Sequence, residues 1–460
     1  MRIEYKKLDR VEGPLIVLSN VRDAAYGEMV SIRLDNDVVK KGKIIKIDGS
    51  SAIIQVFEGT TGISTRNAAV EFKGEPMTIP LSSEILGRTF NGAGEPMDDI
   101  YQIVSPVRQN INGRPINPVA RKYPRNFIQT GISSIDALMT LIRGQKLPVF
   151  SGSGISHNEL AAQIVKQARI EGGKSGSFAV VFGAMGIRHD DADFFIRSFQ
   201  STGVLDHVVM YLNTADAPIV ERISTPRCAL TAAEYLAFEL DMHVLVILTD
   251  MTSYAEALRE ISSAKEEVPS RKGYPGYLYS DLSTIYERAG MLKGKEGSIT
   301  LIPMLTMPND DITHPIPDLT GYITEGQIVV NRELSQKGIY PPVDILPSLS
   351  RLMKDGIGAD YTREDHADLS SQIFAAYSRV QEVRSLSQII GEDDLNDIDK
   401  MYLDFGRELE RRFISQGGEN RSIEETLDLG WDILSMLPKE ELHRVDIDIL
   451  NRYYRKGGEN

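Results

Sequence analysis

Leu147-Pro148-Val149-Phe150-Ser151-Gly152-Ser153-Gly154-Ile155-Ser156-His157-Asn158-Glu159 reads as a short apolar strand that runs into a glycine-serine loop and on into a helix. Strand, small-residue loop and helix in that order form P-loop geography. The loop turns backbone amides toward an anion, the helix presents its positive end, and small residues are required because a phosphate must approach the main chain closely. Ser153, Gly154, Ser156, His157 and Asn158 are therefore candidate nucleotide contacts. A working loop of the form G-x-x-x-x-G-K-[ST] also needs a lysine for the β and γ phosphates and a hydroxyl for magnesium. Here the corresponding end is Gly154-Ile155-Ser156-His157, with no lysine.

Two further parts of a phosphoryl-transfer site can be sought from this point. An acid that positions the attacking water should follow the neighbouring strand. After Val180-Val181-Phe182 the chain offers only Gly183-Ala184-Met185-Gly186, and the nearby His189-Asp190-Asp191 reads as a solvated charge cluster. The run His243 to Thr249 does end in Asp250, where a magnesium-organising aspartate belongs. Gly173-Lys174-Ser175 is a decoy: the pattern's first glycine would have to be Ala168, and the triplet follows a helix and precedes a strand, the wrong end of a sheet for phosphate. One part of three survives, as in a retired active site.

Around the loop, strand-like runs (148–150, 178–182, 207–212, 243–248) alternate with helical patterns (158–170, 231–240), which predicts a mostly parallel sheet covered on both faces. Upstream, Val30, Ile32 and Leu34 alternate with polar residues before Asp35-Asn36-Asp37, and the runs 43–47 and 52–57 flank Asp48-Gly49-Ser50. That predicts a small antiparallel sheet, closed into a barrel to remove its edges. The turn-rich stretch 91–96 and the segment to Pro124 are expected to be a connection. Downstream, a helix start at Thr362-Arg363-Glu364-Asp365 opens an amphipathic run to Ile390, and Ser422 with Glu425 forms a capping-box signal for a helix that Pro438 closes. The lone Trp431 is expected to anchor this helical core. The fold expected is α/β: an N-terminal antiparallel β-barrel over 1–72, a degenerate P-loop domain with a RecA-like parallel sheet over 73–357, and a C-terminal helical bundle over 358–460.

Composition narrows the function. The 460 residues carry 51 Lys and Arg against 65 Asp and Glu, a net charge of -14 that disfavours a nucleic-acid surface. The single cysteine, Cys228, forms no internal disulfide and reads as a small buried residue, which fits a reducing compartment. Neither a signal peptide nor an apolar run long enough to span a bilayer is legible, so membrane association is expected only through partners.

Several blocks taken together carry a resemblance: Phe127-Ile128-Gln129-Thr130-Gly131-Ile132-Ser133, the loop at 151–158, Pro269-Ser270-Arg271-Lys272-Gly273-Tyr274-Pro275-Gly276-Tyr277, Tyr286-Glu287-Arg288-Ala289-Gly290, His314 to Gln327, and Pro341-Pro342-Val343-Asp344-Ile345-Leu346-Pro347-Ser348-Leu349-Ser350-Arg351. In order and over essentially the whole chain, they resemble the B subunits of archaeal A-type and vacuolar V-type rotary ATP synthases. The resemblance implies a non-catalytic, regulatory member of a ring of three A and three B subunits. It implies ATP or ADP at the A/B boundary, magnesium held mainly by the A subunit, and Arg351 donated in trans to that site. It further implies central-stalk and peripheral-stalk partners, coupling to proton or sodium transport, and a peripheral position on the cytoplasmic face of the membrane. No metal site of the chain's own is expected, and its own loop is expected to bind nucleotide weakly or not at all. An autonomous RecA-like hexameric motor is the competing reading, but it would need its own lysine and catalytic acid.

Overall fold

The computed structural model describes residues 4–6, 8–35, 38–66, 68–98, 100–155, 157–169 and 178–455. Ser156, Asn36, Asp37 and the Gly173-Lys174-Ser175 decoy lie outside the described residues. The chain forms two compact units, one made of the chain up to Pro115 with Val180–Leu240 and Leu248–Arg288, the other of Ile116–Ala179, Asp241–Ile247 and the chain from Ala289 onward.

The first unit holds the N-terminal sheet. Its seven strands, all antiparallel, run in the order Glu4–Lys6, Ala69–Pro76, Glu28–Arg33, Val39–Asp48, Ser51–Val56, Leu15–Leu18, Arg10–Glu12. Alternation works as expected: Val30 and Ile32 are buried while Arg33 is exposed, and Ile16, Ile44, Ile54 and Val70 complete the interior.

The same unit contains strand Phe178–Ile187 from Val180 onward, paired in parallel with Val208–Thr214, which pairs in parallel with Thr89–Asn91. That third strand corrects the expectation that the stretch after Arg88 only connects. Three residues are too few to show a periodicity, and Phe90 joins the sheet by stacking on Tyr211 at 5.2 Å. Helix Ile219–Phe238 also begins well before the expected Thr231 and carries Pro226 in its interior. A proline removes the backbone donor that would reach the carbonyl four residues earlier, here that of Arg222. Cys228 is buried in this helix, and burial pushes its thiol up to about 12, so it is a packing residue.

In the second unit the strand order is Val343–Ser350, Gly326–Val330, Val149–Gly152, Ser298–Met307. Val149–Gly152 is parallel to both its neighbours, and Val343–Ser350 is an antiparallel edge. The loop of interest therefore springs from a strand paired on both sides. Strand His243–Thr249 belongs to the second unit up to Ile247 and to the first from Leu248.

The C-terminal helices His366–Ile390, Asp397–Glu408, Ile423–Leu434 and Ile447–Tyr453 share a core of Leu369, Ile373, Val380, Phe405 and Leu427 around a fully buried Trp431. The Trp431 indole donates to Asp365 at 2.5 Å and its ring stacks on Tyr453, so it is the anchor the sequence suggested. The capping box is complete: Glu425 N donates to Ser422 Oγ at 3.2 Å and Ser422 N to Glu425 Oε2 at 2.7 Å. Ser422→Ala removes one of these bonds and is expected to lower the unfolding free energy by about 1 kcal/mol, read in a denaturant titration.

Candidate functional site

At the loop, Ser151 and Gly152 end the strand, Ser153 and Gly154 turn, and helix His157–Gln167 begins immediately after. Gly154 has φ +78 and its missing Cβ would face open space, so only its backbone conformation demands glycine. His157 is turned inward: it is buried, and Nδ1 lies 2.7 Å from Ser151 Oγ. It therefore locks the base of the loop to the strand. Asn158 is partly exposed on the first helical turn.

The mouth of the loop is engaged by two residues that the sequence reading did not single out. Arg332, at the start of helix Arg332–Gln336, forks onto Asp310 with Nε to Oδ2 at 2.8 Å and Nη2 to Oδ1 at 3.0 Å, and also donates to the Ser153 carbonyl. Asp310 follows strand Ser298–Met307 and takes a hydrogen bond from the Ser153 backbone amide. The hydrogen bonds from Arg332 hold its carboxyl below the usual carboxylate range. A Cβ on Gly152 would stand 2.3 Å from Asp310 Oδ1, so this glycine is required by the close approach of a carboxylate belonging to the protein itself. A loop of this shape offers its amides to an anion, and Ser153 spends its amide on Asp310.

The other predicted parts are distributed as follows. Strand Phe178–Ile187 runs on through Gly183-Ala184-Met185-Gly186, and the first acids after it, Asp190 and Asp191, open helix His189–Ser201 at the surface, with Asp191 paired to Arg188 at 3.1 Å. Asp250 follows strand His243–Thr249 as expected and caps helix Met251–Ala264, accepting from Thr252 N at 2.8 Å. It belongs to the first unit, whereas the loop belongs to the second.

Arg351 stands just beyond the edge strand Val343–Ser350. Its backbone is well held: its N–H donates to Glu325 O at 2.9 Å, and Glu325 is fixed by Lys146 through its ammonium at 2.7 Å and its backbone amide at 2.8 Å. Ser350 Oγ accepts from Gln145 at 2.8 Å and donates to Thr140 O at 3.0 Å. The Arg351 side chain is exposed and has no hydrogen bond or ion pair among the described residues. A rigid backbone thus presents an uncommitted guanidinium.

A strand-loop-helix anion cradle on a largely parallel sheet, flanked by an antiparallel β domain and a helical domain, defines the nucleotide-domain class of protein. Comparison with known proteins specifies the member. Residues 131–350 match the model of the ATP synthase alpha/beta family nucleotide-binding domain, residues 10–74 that family's beta-barrel domain, and residues 355–454 the C-terminal domain of V and A type ATP synthase. The chain is 66% identical over 457 residues to the V-type ATP synthase beta chain 2 of Clostridium tetani, covering 99% of both chains. It is 56% identical over 454 residues to the B subunit of the A-type ATP synthase of Aeropyrum pernix, covering 98% of both. Among solved structures, the ATP synthase subunit NeqB of Nanoarcheaum equitans matches with a TM-score of 0.74 and 41% identity, over 92% of this chain and all of that one. The chain therefore belongs to the ATP synthase alpha/beta family, as a B subunit of the V/A type. The α/β fold with its N-terminal barrel, nucleotide-binding domain and helical end stands as the sequence suggested. No helix among the described residues is long and apolar enough to cross a membrane.

Proposed function

We propose that this chain is a non-catalytic, regulatory B subunit that completes the nucleotide site of a neighbouring catalytic A subunit and carries no active site of its own. The observation that carries the reading is the contrast between the loop and Arg351. The loop at 151–158 lacks the phosphate-binding lysine and has its mouth engaged by Asp310 and Arg332, whereas Arg351 is exposed on a braced backbone. A guanidinium is always charged and forks onto phosphate oxygens, so Arg351 suits a site where charge builds up on a γ-phosphoryl group. ATP or ADP binds at the A/B boundary, with magnesium held mainly by the A subunit.

In the assembly three A and three B subunits alternate. The helical end faces the central-stalk rotor, peripheral-stalk contacts fall on the barrel side, and ATP synthesis or hydrolysis is coupled to proton or sodium transport at the cytoplasmic face of the membrane. Boundaries at 1–72, 73–357 and 358–460 assign the barrel, the degenerate nucleotide domain and the helical bundle to these tasks.

Ser153, Gly154, Ser156, His157, Asn158 and Asp250 remain the residues through which the chain's own loop would hold a nucleotide, and only weakly. Titrating the purified chain with ADP in a calorimeter is expected to give no heat, or a dissociation constant in the millimolar range, about 4 kcal/mol of binding at most. The same preparation is expected to hydrolyse no ATP above the buffer rate. Micromolar affinity for ADP or steady turnover by the isolated chain would overturn the reading.

A further inference from the structure

Within the first unit, a cavity of about 670 Å³ lies against the face of the N-terminal sheet that carries Lys43 and Gln55. This is within the size range of small-molecule sites. Much of its wall is apolar, with Ile45, Phe57, Met77, Val220, Leu258 and Ile261 among the lining residues.

The charged groups in the wall are paired, with one exception. Arg227 pairs with Asp281 at 2.7 Å, and Asp281 also takes the Tyr254 hydroxyl. Lys265 stands 3.7 Å from Glu267, which accepts from Ser262 Oγ at 2.8 Å. Lys43 has no hydrogen bond or ion pair from its ammonium among the described residues, and its burial, with Arg227 nearby, lowers its pKa to about 8. Directly across the ladder from Lys43 is Gln55, which is 4% exposed and whose Nε2 has no acceptor. Cross-strand partners project from the same face of a sheet with their Cβ atoms about 5 Å apart. Two unpaired donors, one of them cationic, thus stand side by side in an otherwise neutralised and mainly apolar wall.

An unpaired buried donor carries a desolvation penalty that an acceptor oxygen removes. One surplus positive charge is matched by one negative charge; a dianionic phosphate monoester would bring a second charge into the cavity with no cation left for it. Two adjacent donors suit the two oxygens of a carboxylate. We propose that this cavity is a binding site for a small organic carboxylate with an apolar body, its carboxylate held between Lys43 and Gln55.

The test uses the full chain and octanoate as probe, with octanol as the uncharged control. Calorimetry is expected to show sub-millimolar octanoate binding, about tenfold or more weaker for octanol, for Lys43→Met and, to a lesser degree, for Gln55→Leu. No octanoate binding at millimolar concentration, equal binding of octanol, or unchanged affinity in Lys43→Met would overturn the proposal. Should Lys43→Met fail to fold, the wild-type chain still decides: octanoate is expected to protect Lys43, and not the exposed Lys46, from an amine-acylating reagent read by peptide mass spectrometry. Equal labelling of Lys43 with and without octanoate refutes it.

Discussion

Arg351→Ala, in the chain mixed with a matching A subunit, is expected to lower ATP hydrolysis about 10³-fold or more while leaving the chain's own stability unchanged. An arginine that reaches across a boundary to a transferring phosphoryl group contributes about 10³ to 10⁵ in rate, or roughly 4 to 7 kcal/mol of barrier. The stability half of the prediction separates this role from a structural one. Arg351 is exposed, its side chain bonds to nothing among the described residues, and the contact that orders the turn, N–H to Glu325 O at 2.9 Å, is made by the backbone and survives substitution. Exposed side chains without such ties usually change stability by less than about 0.5 kcal/mol. Arg351→Lys is expected to restore little, because an ammonium keeps the charge and loses the planar fork. Steady-state hydrolysis by the mixture, with the unfolding midpoint of each variant alongside, checks both halves. Full activity in the alanine variant would remove Arg351 from the site, and a large drop in midpoint would make it a structural residue.

The second large effect belongs to Arg288, which has the opposite character. It is 1% exposed and spends its guanidinium entirely within the first unit: two bonds of 2.7 Å to Glu234, one of 2.8 Å to Ile111 O and one of 2.8 Å to Thr231 Oγ1. Even its approach is shaped for it, since a Cβ on Gly113 would come within 2.4 Å of its central carbon. Arg288→Met fills much of the volume but strands the Glu234 carboxylate, the Ile111 carbonyl and the Thr231 hydroxyl. Losing one partner of a buried pair costs about 3 to 5 kcal/mol, mainly through the charge left behind. The double variant Arg288→Met with Glu234→Leu is expected to lose less than the single one, because no stranded charge remains. Urea unfolding followed by circular dichroism measures both. If the two variants are equally destabilised, packing and not the ion pair is what Arg288 contributes.

Which features are legible in the sequence depends on how far along the chain each residue's partners lie. Alternation in Glu28–Arg33, the capping pair Ser422 and Glu425, and the small residues after Val149 are local signals, because each residue's role is set by neighbours a few positions away. The same is true of the missing lysine. Asp310 and Arg332 give no such signal, since what each does depends on a loop 179 residues before Arg332 in the chain. Thr89–Asn91 was missed for a related reason: a three-residue strand is defined by the partner it finds. The helical periodicity legible from Thr231 covers only the second half of Ile219–Phe238, whose first half holds Pro226 in its interior. Lys43 and Gln55 look like unremarkable residues of a half-buried sheet until their register is known.

The bond between Asp310 and the Ser153 amide also bears on how the protein responds to the energy state of its surroundings. A ligand that binds only the native state adds stability by mass action, so a chain that depended on nucleotide to order its loop would soften whenever nucleotide ran low. An anion covalently part of the chain has no concentration to fall. With Arg332 clamping it, Asp310 holds the loop mouth at a strength set by the fold, as firm in a starved cell as in a well-fed one.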